Sequence, residues 1–154
     1  MARHFVSKKE QKVVRDQLLS MGIDLGDRNV ELDQRKDSRC YFVGGKPYIY
    51  VSDRYIPTIF LLNDIKPKGH VVVVDDGAVS HVINGANVFC KGITQFSDNI
   101  KKGDTVFVTD LRGNFIAVGL AAVSSEDFSK SNLGEAVLTI HYPGDKIIKE
   151  FYAI

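Results

Sequence analysis

Asp75 and Asp76 side by side, His81 and His141 inside patterned segments, and the two cysteines Cys40 and Cys90 are the residues whose types could carry acid–base, nucleophilic or metal chemistry. A reaction needs a nucleophile, a base and an oxyanion or metal partner brought together, and a sequence reports that through local motifs. The chain has no G-x-S-x-G, no P-loop, no G-x-G-x-x-G and no H-x-x-x-H. Cys40 and Cys90 lie far apart with no second Cys or His at ligand spacing, so two reduced thiols are expected, with neither a disulfide nor a metal site. Asp75 and Asp76 stand at the start of a helical pattern, where capping and the helix dipole account for both. His81 reads as a surface or packing histidine, and His141, in the strand-like IHY, as structural. The expectation is a protein that binds and does not catalyse, with no cofactor and no metal.

The elements that position these residues centre on VVVVDDGAVSHVINGANVFCKGIT, residues 71–94. Four valines in a row predict a strand buried on both faces. Two acids then offer acceptors to the free amides of a helix start, and Gly77 lets the backbone turn. Val79, Val82 and Ile83 follow at i, i+3 and i+4, which predicts a helix of barely two turns. Gly85 suits the left-handed position after the last turn, and Ala86 keeps the local surface low. A strand is predicted to resume over residues 87–93, with Val88 and Cys90 on one face and Phe89 and Lys91 on the other. Backbone would be open at two glycine corners, a surface on which nucleic-acid phosphates and sugars can meet main-chain amides and a helix start. On spacing alone, however, two ordinary helix-end glycines are the simpler reading.

DDGAVSHVINGANVFCKGI resembles the opening of a PUA domain, the RNA-binding module of pseudouridine synthases and archaeosine transglycosylases; KKGDTVFV, FIAVGLAAVSSEDF and LTIHYPGDKIIKEF follow in that family's order. GKPYIYVSDRYIPTIFLLND resembles the second half of a pre-PUA domain, as found in small two-domain proteins related to the malignant T-cell amplified sequence translation factor and to the N-terminal part of ligatin. The resemblance implies an α+β chain: a small α/β pre-PUA domain over residues 1–67, then a PUA mixed β-barrel with short helices over 68–154. It also implies a binder of structured RNA, tRNA or rRNA, associated with translation, with the small ribosomal subunit or a translation factor as partner. The alternative from the same resemblance is an accessory RNA-targeting or protein-interaction subunit for an RNA-modifying enzyme. Carried over as site residues are Asp76, Gly77 and Ala78 at the helix start, Gly85, Ala86 and Asn87 at its end, and Lys91 and Gly92 on the following strand. Proline is common in the family where this chain has Lys91, an exchange that supplies a cation to any bound phosphate.

The rest of the chain frames this segment. Ser7 and Glu10 have capping-box spacing ahead of Val14, Leu18 and Met21, which predicts a helix over 8–21 stopped by Gly22. Its outer face carries Lys8, Lys9, Lys12 and Arg15, the pattern of a solvated face. VELD at 30–33 hints at a short strand, and CYFV and YIYV around GGKP predict a hairpin. Tyr41, Phe42, Tyr48 and Tyr50 could stack on unpaired bases, but a small domain without Trp needs them for its core. A second helix is predicted over 57–63, with Pro57 in its first turn, and a domain boundary at Lys66-Pro67-Lys68-Gly69. Beyond the central segment, strands are predicted over TVFVTD, FIAVGLAAV, 136–142 and 146–151, with Gly119 marking a bend or a close backbone and a helical turn after Ser124. Net charge is only +1, but residues 1–69 hold 13 Lys and Arg against 9 Asp and Glu, and residues 70–154 hold 7 against 10. An RNA-binding second half must therefore rely on a local patch and main-chain donors. No run approaches the roughly 18 apolar residues of a membrane span, so the expected place is the cytoplasm and no membrane partner is expected.

Overall fold

The computed structural model describes residues 3–130 and 134–152. In chain order the elements are β1 (His4–Phe5), α1 (Lys8–Leu19), β2 (Glu31–Gln34), β3 (Arg39–Val43), β4 (Lys46–Val51), β5 (Tyr55–Pro57), α2 (Ile59–Ile65), β6 (Val71–Val74) and α3 (Asp76–Val82). After them come β7 (Val88–Phe89), β8 (Ile93–Phe96), β9 (Thr105–Thr109), β10 (Phe115–Ala121), β11 (Glu135–His141) and α4 (Lys146–Phe151). Two compact units result: the chain up to Pro67 together with the segment from Lys146 onward, and Lys68–Asp145.

The first unit is an antiparallel sheet in the order β1-β2-β3-β4-β5. Ser7 caps α1 by accepting from the Glu10 amide (3.1 Å), and Val14 and Leu18 are fully buried beneath it. The Glu10 carboxylate accepts from the Tyr41 hydroxyl (2.8 Å) and so ties the helix to the sheet. Gly44 and Gly45 both have positive φ (58° and 81°), which lets the two-residue β3–β4 turn follow the twist of its strands. Tyr41, Phe42, Tyr48 and Tyr50 are all buried, so the hairpin aromatics build the core and are not offered to bases. Pro57 closes the short edge strand β5, and Thr58 caps α2 by accepting from the Leu61 amide, two residues beyond the predicted start. The predicted strand over 146–151 is the helix α4. Its Ile147, Ile148 and Phe151 are buried at helical spacing, with the Phe151 ring edge-on to Tyr50 (5.7 Å) and beneath the Arg35 guanidinium (4.7 Å). The β-branched pair looked like a strand, yet a sheet face left open in the first unit claims it as a helix.

The second unit is a six-stranded sheet in the order β7-β11-β10-β9-β6-β8, its pairs antiparallel except β6 with β9. Its two edge strands are consecutive in the chain and joined by a single 3₁₀ turn, Cys90–Gly92, so the sheet curls into a nearly closed barrel. Val72, Val74, Val106, Val108 and Val137 fill it. Within β6 burial alternates: Val72 and Val74 are fully enclosed, whereas Val71 and Val73 are only half-buried, so the strand has one core face and not two. Gly119 marks a bulge against β11, where a Cβ would come within 2.6 Å of the Leu138 carbonyl oxygen.

The turn between β9 and β10 is organised by one side chain. Asp110 accepts from the Arg112 and Asn114 amides (both 2.9 Å) and from the Asn114 side chain (3.0 Å). Burial by itself would raise the Asp110 pKa, but those hydrogen bonds and the Arg112 charge outweigh it and hold the carboxyl below its usual value. A depressed folded pKa stabilises the fold above the unfolded value of about 3.9 and loses that contribution as pH falls through the folded value. Denaturant midpoints measured from about pH 5 down to about pH 2 should therefore fall less steeply for Asp110→Asn than for the parent chain, with the parent the more stable at pH 7.

Candidate nucleic-acid interface

Asp75 caps α3, its Oδ1 accepting from the Ala78 amide (2.8 Å), while its own amide donates to the Gly92 carbonyl (2.9 Å). The helix start is thereby stitched to the 3₁₀ turn. A Cβ at Gly92 would lie 3.0 Å from the Ala78 Cβ, so two small residues allow this approach. At the other end of α3, the Gly85 amide donates to the Val82 carbonyl (2.9 Å) and the Ala86 amide to that of His81 (3.1 Å), with Gly85 at φ 96°. Asn87 then joins the segment to β11: its Oδ1 accepts from the Thr139 amide (2.9 Å), its Nδ2 donates to Glu135 (2.6 Å), and Thr139 donates to the Ala86 carbonyl (2.9 Å).

Between these two attachments lies a cleft of about 580 Å³. Six of the eight predicted site residues line it: Gly77, Ala78, Ala86, Asn87, Lys91 and Gly92. Asp76 and Gly85 do not. Gly85 is no open corner, because the Tyr142 ring lies where a Cβ would project (2.9 Å). At the helix start the Asp75 carboxylate already occupies the Ala78 amide. The strand predicted over 87–93 is two strands separated by the 3₁₀ turn; the predicted faces persist, with Val88 and Cys90 buried and Phe89 and Lys91 exposed.

Four lining residues were not among the predicted set: Asp75, His81, Val82 and Phe89. Phe89 is the informative one, an aromatic ring left 43% exposed on the rim. Its placement opposite Val88 in an alternating pattern was the signal that could have found it. No described carboxylate lies within ion-pair distance of the exposed Lys91. Burial raises the pKa of both free thiols, Cys40 and Cys90, and no cluster of metal-ligating side chains occurs among the described residues. His141 is fully buried, with Nδ1 2.8 Å from the Asp145 carboxylate; the same oxygen accepts from the Tyr142 amide (3.0 Å) and so fixes the residue that backs Gly85.

The profile for PUA domains matches residues 70–143, and that for a domain of unknown function, DUF1947, matches residues 2–64. The solved structure of a conserved PUA domain protein from Thermoplasma acidophilum superposes with a TM-score of 0.94 at 39% identity, over 97% of this chain and 99% of that one. An uncharacterized protein of Methanocaldococcus jannaschii is 35% identical over 94% of both chains. Translation machinery-associated protein 20 of Saccharomyces cerevisiae is 28% identical over 77% of this chain and 70% of its own length. This chain belongs to the family in which a DUF1947 region precedes a PUA domain, as its quoted motifs implied.

The wall at Gly85 is open to test. Gly85→Ala should lower stability by at least about 1 kcal/mol, because the new Cβ meets both the positive φ and the Tyr142 ring. Pairing it with Tyr142→Ala should recover part of that loss in a thermal melt. Equal melting temperatures for Gly85→Ala and the parent would mean the ring does not close that corner.

Proposed function

We propose that this chain binds structured RNA, tRNA or ribosomal RNA, through the cleft beside α3, as a translation-associated factor at the small ribosomal subunit. The observation that carries the reading is the cleft itself. Its walls are low because Gly77, Ala78, Ala86 and Gly92 are small, and its rim pairs an exposed phenyl ring with the Lys91 ammonium, which no described carboxylate neutralises. A base can stack on Phe89 and a phosphate can meet Lys91, while Asp75 and Asp76 repel phosphate from the helix start and so set the strand's course. The likeness to translation machinery-associated protein 20 supports placing the target in the translation apparatus, and with it a cytoplasmic site of action.

Binding of the intact protein to tRNA and to small-subunit rRNA, measured across a salt series, tests this. Affinity should fall as salt rises, and Lys91→Glu should weaken it and flatten the salt slope by about one unit. Phe89→Ala should weaken it with the slope unchanged, a loss on the order of 1–3 kcal/mol. Affinity indifferent to salt and to both substitutions would remove the cleft as the RNA site. Sedimentation with an RNA-modifying enzyme in place of small subunits would replace the translational assignment by the accessory-subunit alternative.

A further inference from the structure

A groove of about 480 Å³ runs between α1 and the sheet of the first unit. In its wall, Arg39 lies in the same strand row as Tyr55, through the pairs Arg39–Val51 and Val51–Tyr55. That register lets the side chain lie flat along the sheet. Its Nε donates to the Tyr41 hydroxyl (3.0 Å) and its Nη2 to the Tyr55 hydroxyl (3.1 Å), with the guanidinium 5.7 Å from each ring centre. Tyr41 in turn donates to Glu10 (2.8 Å), which turns the phenol oxygen's lone pairs toward the arginine. Both acceptors are neutral, and no described carboxylate lies within ion-pair distance of Arg39. Desolvation pulls the Arg39 pKa down, yet the bonds to Tyr41 and Tyr55 outweigh it and the value is raised.

The guanidinium is thus charged, held in a fixed orientation and ion-paired with no described carboxylate, with two of its five N–H donors used by described groups and none of these on Nη1. We infer that this groove is a recognition site for a carboxylate of an acidic peptide segment, anchored in a fork by Arg39. Charge and surface choose a peptide over RNA. Lys9 and Arg39 set against Glu10 leave one positive charge, enough for a single carboxylate and too few for a run of phosphates that would meet Glu10. On the wall opposite, Val13 of α1 is 45% exposed and offers an apolar contact to an aliphatic neighbour of that carboxylate. Planar bidentate pairing with a carboxylate is what a pre-oriented guanidinium does best. No residue of this groove lines the cleft beside α3, so the inference stands or falls apart from the RNA reading.

The test is an NMR titration of the full chain with a peptide of alternating leucine and glutamate, its leucine–glutamine counterpart, and a short single-stranded oligoribonucleotide. The acidic peptide should shift resonances of Val13, Arg39 and Tyr55, and bind about tenfold or more tightly than the glutamine peptide. Arg39→Lys keeps the charge but not the fork, and should lose about tenfold in affinity with the melting temperature near that of the parent. Lys91→Glu should leave peptide binding unchanged. Equal binding of the two peptides, an acidic peptide bound as well by Arg39→Lys, or perturbation of these three residues by the oligoribonucleotide alone would each overturn the inference.

Discussion

A nearly closed barrel whose edge strands are joined by three residues is the constraint on which the second unit depends. β7 and β8 stand at the two ends of the sheet order, yet only Cys90–Gly92 separates them in the chain. So short a bridge must curl tightly, which turns Cys90 into the core and leaves Lys91 facing out. Gly92 then lies beneath α3, because the Asp75 amide bonds its carbonyl and Ala78 presses on its Cα side. That contact fixes one wall of the cleft. A side chain at Gly92 would press its Cβ to 3.0 Å from the Ala78 Cβ and force the turn or α3 to give by a few tenths of an ångström.

The opposite wall is held by hydrogen bonds. Asn87 uses its side-chain oxygen and nitrogen on β11, and Thr139 returns a bond to Ala86, so the exit from α3 is tied to the strand that pairs with β7. Further along β11, the buried His141–Asp145 pair fixes Tyr142 against Gly85. Polar groups that would otherwise be read as ligands for RNA are therefore occupied in shaping the place where it would lie. What remains for a ligand includes shape, the exposed His81 imidazole, the rim ring of Phe89 and the Lys91 charge.

Legibility in the sequence followed the range of the interaction. α1 with its Ser7 cap, the Gly44-Gly45 hairpin, α3 with its Asp75 cap and the left-handed Gly85 all rest on contacts within a few residues, and local pattern found them. Misreadings occurred where a distant partner decided. Ile147 and Ile148 became helix because the Tyr50 face of the first unit needed covering, and the run after Asn87 broke because β7 and β8 pair with different strands, β11 and β6. Of the site, the small-residue stretch was visible as spacing. The occupation of Asn87 by β11 and the cover over Gly85 depend on residues some 50 positions away, and nothing in the local pattern reports them.

The electrostatics of this arrangement limit the kind of RNA it suits. One cation facing the cleft, in a half of the chain with 7 basic against 10 acidic residues, releases about one counterion per contact and gives a shallow salt dependence. One stacked base adds on the order of 1–3 kcal/mol. A dissociation constant of 1 μM needs about 8 kcal/mol, so those two contacts by themselves leave a short oligonucleotide weakly held. Shape contacts along low, glycine- and alanine-lined walls grow with the extent of ordered backbone presented to them, which a folded RNA supplies and a flexible strand must first lose entropy to offer. On the proposed reading, the cleft would be better matched to a pre-ordered RNA surface than to free single strands, and acidic Asp75 and Asp76 would disfavour backbone approaching from the helix side.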